Sequence, residues 1–152
     1  MNIFEQIRAN ISNIETNLGN MLVQAMVENE SQIVDLNISQ IEQGVGADGA
    51  ILGEYASAEY ADLKQSMGSQ APPGVVDLKL TGDFLEAFYA EPYVGSDIDS
   101  SGLFIDSRDE KTEMLESKYT QIFGIAPDNV DQVQDLILES LTNKIQNEIT
   151  KL

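Results

Sequence analysis

The chain has 152 residues, 42% of them hydrophobic, with 26 acidic side chains against 8 basic ones and a formal net charge of -18. That length supports one hydrophobic core with an appendage, and that charge repels phosphate backbones and anionic membrane surfaces. The absence of cysteine excludes disulfides and thiolate chemistry, and the absence of histidine removes the commonest general base and the favoured ligand of zinc and non-haem iron.

No apolar run reaches the roughly 18 residues of a membrane helix, and MNIFEQIRAN lacks the basic-then-apolar order of a signal peptide. A cytoplasmic product is therefore expected. Ile3, Ile7, Ile11, Ile14 and Leu18 step by four, four, three and four, the stripe of an α-helix that continues through Leu22 and Met26. Gly19 interrupts it, predicting one bent helix or two helices meeting there. Such a stripe serves a core, or packs on a neighbouring subunit.

Val34, Leu36 and Ile38 alternate with Asp35, Asn37 and Ser39, which predicts a short strand near 34–38. Gly44, Gly46, Gly49 and Gly53 follow, with Asp48-Gly49 as a hairpin signal. A phosphate-binding loop is ruled out there because neither Lys nor Ser/Thr follows the glycines in the required order. Ala56, Tyr60, Leu63 and Met67 predict a further helix, closed by the linker GSQAPPG over residues 68–74.

Val76, Leu78 and Leu80 alternate with Asp77 and Lys79, the pattern of a half-buried strand. Thr81-Gly82 then breaks it: the Thr81 hydroxyl can cap a helix, Asp83 suits the positive end of its dipole, and Phe84, Leu85 and Phe88 make an apolar face. AFYAEPYVGSDIDSSGLFIDS predicts a hairpin with strands near 88–95 and 102–106, Pro92 marking an edge or a bulge. Residues 109–123 predict a helix, and Val130, Val133, Ile137, Leu141, Ile145 and Ile149 a long C-terminal one. The expected fold is α+β, a small, mainly antiparallel sheet with an N-terminal helix and a long C-terminal helix. It divides into a helical segment at 1–30 and one α+β domain at 31–152. No internal repeat or low-complexity tract is visible.

Three groups could carry chemistry. Asp97, Asp99 and Ser101 before Gly102 match the first half of a calcium loop, but Arg108 stands where its bidentate Glu should fall and the flanks read as strands. Glu110, Glu113 and Glu116 share a helical face and could supply paired carboxylates. Lys111 and Lys118 interleave with them, however, and favour a solvated face. Tyrosines 55, 60, 89, 93 and 119 could line a binding surface, though several fall on apolar stripes that suit a core.

The segment VDLKLTGDFLEAF, residues 76–88, resembles the strand-turn-helix signature of tail-completion, or neck, proteins of long-tailed bacteriophages, Thr-Gly-x-Leu-x-x-Ser followed by a hairpin and a helix. Thr81 and Gly82 match, Phe84 stands where Leu is usual, and Ala87 departs from Ser. DEKTEMLESKYTQIFGIAPDNV is similar to small phage-encoded proteins with the same L-x-x-K-Y and I-F-G arrangement after the hairpin. The likeness covers residues 75–127.

The resemblance implies a non-catalytic structural subunit of a ring joining the portal complex to the tail. Such a subunit sits in the virion, is assembled in the host cytoplasm and needs no cofactor. Its partners would be its own copies and other neck, portal or tail proteins, with DNA passing through a channel but not specifically bound, no membrane and no small-molecule substrate. Thr81, Gly82, Phe84 and Phe88 would form the structural turn and interface, and Ile3, Ile7, Ile11, Ile14 and Leu18 the assembly helix. The alternative is a cation-dependent or basic-partner binding module centred on the 97–106 turn.

Overall fold

In the computed structural model, which describes residues 2–96 and 100–151, Asn2 opens the first helix with a reciprocal cap. Its side chain accepts from the Glu5 amide and the Glu5 carboxylate accepts from its own amide, both at 3.0 Å. Helix α1 (Ile3–Glu28) then runs unbroken through Gly19. The remaining elements are α2 (Glu30–Glu42), α3 (Ala58–Ser66), α4 (Asp83–Glu86), β1 (Phe88–Tyr93), β2 (Gly102–Ser107), α5 (Thr112–Lys118) and α6 (Pro127–Ile149). The fold is small α+β, with long terminal helices and a two-stranded antiparallel sheet.

The chain forms two compact units: residues 1–30, 91–103 and 132–152 in one, 31–90 and 104–131 in the other. In the first, α1 and α6 run antiparallel. The Asn29 amide donates to Ser140 Oγ at 2.8 Å and to the Leu136 carbonyl at 3.4 Å, Lys144 pairs with Glu28, and Asn10 donates to the carbonyl of Glu148. Because α6 ends at Ile149, beside Asn10, the opening turns of α1 run past its end. Met21, Ala25 and Met26 are buried, Ile14 and Leu18 half-buried, and Ile3, Ile7 and Ile11 exposed.

The second unit is built around α2, where the alternation at 34–38 had predicted a strand. Its buried face is Ile33, Val34, Asn37, Gln40 and Ile41, a helical repeat that includes two amides. Asn37 donates to the Ile122 carbonyl (3.0 Å) and accepts from the Gly124 amide (3.1 Å). Gln40 donates to the Gly124 carbonyl (2.9 Å) and accepts from the Ala126 amide (2.7 Å). These amides stand in for backbone partners along 122–126, where the sequence pattern had extended the helix to residue 123; the helix itself stops at Lys118 because Tyr119 is extended, at φ -129° and ψ 102°.

The strand predicted at 76–80 is also absent. Its neighbourhood is extended but joins no sheet, held by a single bridge between Glu54 and Val75 and by the Val76 amide on the Gly53 carbonyl at 2.9 Å. Leu78, at φ 52°, then breaks the alternation. Asp48-Gly49 does close a tight turn, with one bridge between Val45 and Ile51. The hairpin at β1 and β2 forms where expected, and Phe88, its first residue, clusters with Phe84 and Phe123 with centroids 5.0–6.4 Å apart.

Two glycines test these assignments with opposite signs. Gly44 has φ +78° and a Cβ there would lie 2.4 Å from Val75 Cγ1, whereas a Cβ on helical Gly19 would meet nothing within 4 Å. Gly44→Ala is expected to lower the unfolding free energy by roughly 2–4 kcal/mol and Gly19→Ala to raise it by about 0.5–1 kcal/mol in urea titrations. Equal effects from the two changes would contradict both assignments.

Candidate functional site

The second unit carries an open cleft of about 590 Å³ with three walls. One is residues 55–64, ending in α3; one is the extended segment 76–84; the third is α5 with Tyr119. Val76, Leu78, Leu80, Phe84, Met114 and Leu115 make its surface largely apolar. Lys64, Lys79, Lys111 and Lys118 also line it, half of the chain's eight Lys and Arg, and no carboxylate does.

Two of these lysines are committed to the fold. Lys64 is 3% exposed and Asp77 2%, with Nζ and Oδ1 at 2.7 Å, and they are the only buried charged residues among those described. Asp77 Oδ1 also accepts from the Tyr55 hydroxyl at 3.1 Å and from the Lys79 amide at 3.0 Å, while Oδ2 accepts from Ser69 Oγ at 2.7 Å. Lys64 donates further to the Lys79 carbonyl. Burial alone would raise the Asp77 pKa, but the donors from Lys64, Ser69 and Lys79 outweigh it and hold the carboxyl below the usual carboxylate range. Burial pushes the Tyr55 hydroxyl well above its ordinary value, with the Asp77 charge adding to the effect, so it stays a donor. Lys79 pairs with Glu42 at the surface.

Lys111 and Lys118 make no ion pair among the described residues, and Lys118 lies over the Tyr119 ring at 5.3 Å. Standing seven residues apart, at the start and end of α5, they fall on one side of it with Met114 and Leu115 between them. The cleft therefore offers an apolar floor, two fixed cations and two free ones. Leu78, the only non-glycine with positive φ among the described residues, lies in its wall, held there by Asp77 on one side and Lys79 on the other.

Of the residues singled out from sequence, Thr81, Gly82 and Phe84 reach this cleft and Phe88 lies in the aromatic cluster behind it. The Thr81 hydroxyl caps weakly, accepting from the Asp83 amide at 3.4 Å, while Gly82 at φ 94° occupies the cap position itself. Tyr55, Tyr60 and Tyr119 also line the cleft, and Tyr89 and Tyr93 sit on β1. Glu110, Glu113 and Glu116 are exposed. Asp97 and Asp99 lie outside the described residues, whereas Ser101 accepts from the Gly95 amide at 3.2 Å. No group of three potential metal ligands occurs among the described residues. Read singly in the sequence, Lys111 and Lys118 suit a solvated face and Lys79 a strand; the signal for a shared site was the scarcity of cations, with four of eight falling in 64–79 and 111–118.

Compared with models of known protein families, with curated proteins and with solved structures, the chain finds no match.

Asp77→Ala would strand a buried lysine charge and is expected to cost about 3–5 kcal/mol, part of which Asp77→Leu/Lys64→Met recovers. A loss under about 0.5 kcal/mol in denaturant titration would show that the pair is not what holds the cleft. A depressed carboxyl contributes stability above its unfolded pKa and loses it as pH falls through the folded value. Below about pH 4, then, wild-type stability is expected to fall more steeply than that of Asp77→Asn.

Proposed function

We propose that the chain is a structural, non-catalytic subunit of a bacteriophage neck or tail-completion ring, placed between portal complex and tail. The observation that carries this reading is the solvent-facing stripe at the start of α1. Ile3 is 52% exposed, Phe4 78% and Ile11 50%, with Ile7 beside them. A run of large apolar side chains on a projecting helix end is the kind of surface that an assembly covers, since in a monomer it stays in contact with water at a cost of about 25 cal/mol per Å². It belongs to the helix whose periodicity suggested a subunit contact.

The stretch that resembles neck proteins and the one that resembles small phage-encoded proteins add support of a different kind. Residues 76–84 and 111–119 come from separate parts of the chain and supply two walls of one cleft. The shared signature thus falls on a surface feature as well as on a turn. A net charge of -18 suits a subunit past which DNA must slide without adhering. Such a ring would act in the virion after assembly in the host cytoplasm.

Light-scattering mass after size exclusion, over a hundredfold range of concentration, is expected to give a multiple of 16.7 kDa, with closed rings in negative stain. Phe4→Glu/Ile7→Glu is expected to return the mass to one chain and leave the thermal midpoint unchanged. A single-chain mass at every concentration, in wild type and variant alike, would overturn the reading.

A further inference from the structure

We propose that the lysine-rimmed cleft is the receiving half of a subunit contact, and that its occupant is the α6 face of a second copy carrying Asp135, Leu138 and Glu139. The inference rests on the ring reading and adds to the α1 stripe a second contact between the same copies, one that is lost when the stripe is lost. An occupant for this cleft meets an apolar lining and two lysines, Lys111 and Lys118, that make no ion pair among the described residues, so it is acidic and offers an apolar anchor. Charge complementarity then selects a second copy. A chain with 26 acids and 8 bases presents acidic surface nearly everywhere, and the cleft is where its cations are gathered.

The segment chosen matches in pattern. Asp135, Leu138 and Glu139 stand at positions i, i+3 and i+4 of α6, hence on one side of it. All three are exposed, Leu138 by 56%, and neither acid makes an ion pair among the described residues. Along α5 the order is Lys111, then Met114 and Leu115, then Lys118; along α6 it is acid, leucine, acid. The two lysines are about 10 Å apart along their helix and the two acids about 6 Å along theirs, a difference that flexible lysine side chains span. Complementary patches on different surfaces of one chain make a head-to-tail contact, the type of contact from which rings are built when its rotation closes.

The chain has no cysteine, so single thiols can be placed cleanly. Met114→Cys and Leu138→Cys, both at exposed positions, are prepared separately, mixed at equal concentration and treated with a short bis-maleimide. The mixture is expected to give about tenfold more covalent dimer than either variant alone. Adding Lys111→Glu/Lys118→Glu to the Met114→Cys chain is expected to remove the excess, and adding Asp135→Lys/Glu139→Lys to the Leu138→Cys chain to restore it. A mixture no better than its components overturns the proposal, and the mass measured in parallel tells which idea has failed. Oligomers without the cross-link overturn this contact alone, whereas single chains overturn the ring as well. Background cross-linking together with Lys111- and Lys118-dependent binding of a fluorescent single-stranded oligonucleotide would give the cleft to nucleic acid and likewise overturn the proposal.

Discussion

Taking a lysine ammonium out of water costs several kcal/mol unless a carboxylate meets it with good geometry and the remaining hydrogen-bonding capacity is used. Lys64 and Asp77 meet that condition. The carboxylate accepts from four donors and the ammonium donates twice, so no lone pair or proton of consequence is stranded. Each of those bonds also fixes a piece of backbone. The bond to Tyr55 anchors the segment before α3, that to Ser69 anchors the loop after it, and those to the main chain of Lys79 set the course of residues 76–80. Remove the carboxylate and three segments lose their common reference, and with them two of the cleft's three walls.

The same network shows why sequence periodicity succeeded and failed where it did. The long helices and the hairpin announced themselves because their partners are apolar surfaces or each other's backbone, which repeats of 3.6 or 2 record directly. Residues 76–80 alternate as a strand does, yet after Val76 the main chain of Asp77 and Lys79 bonds to side chains, and alternation cannot distinguish an extended segment from a paired one. In α2 the misleading signal was Asn37 and Gln40. Counted as polar, they turn a helical face into an apparent alternation; in the fold they are core residues, since their amides serve the backbone of 122–126. The candidate site was legible only in its aromatic and turn residues. Lysines read singly look like surface solvation, and only the third dimension brings 64, 79, 111 and 118 together.

That gathering has an electrostatic consequence. Copies of a chain at -18 repel one another at long range, but at physiological salt the repulsion decays over about 8 Å, so contact is decided by what lies locally at the meeting surfaces. The rim set by Lys111 and Lys118, with Lys64 and Lys79 already paired to carboxylates, is a local reversal of sign. It can favour one orientation of approach while the rest of the surface disfavours all others, which yields specificity without requiring high affinity.

The exposed turns of α1 follow from geometry more than from composition. Because α1 and α6 lie antiparallel with Glu148 beside Asn10, α6 ends before it can cover Ile3, Phe4 and Ile7. A stripe that continues unchanged past the end of its intramolecular partner carries the same periodicity on both sides of that boundary. Covered and uncovered turns are therefore one signal in the sequence, and what separates them is where the neighbouring helix ends. Ile14 and Leu18 spend their apolar surface within the chain. Ile3, Ile7 and Ile11, with identical spacing, keep much of theirs available for another.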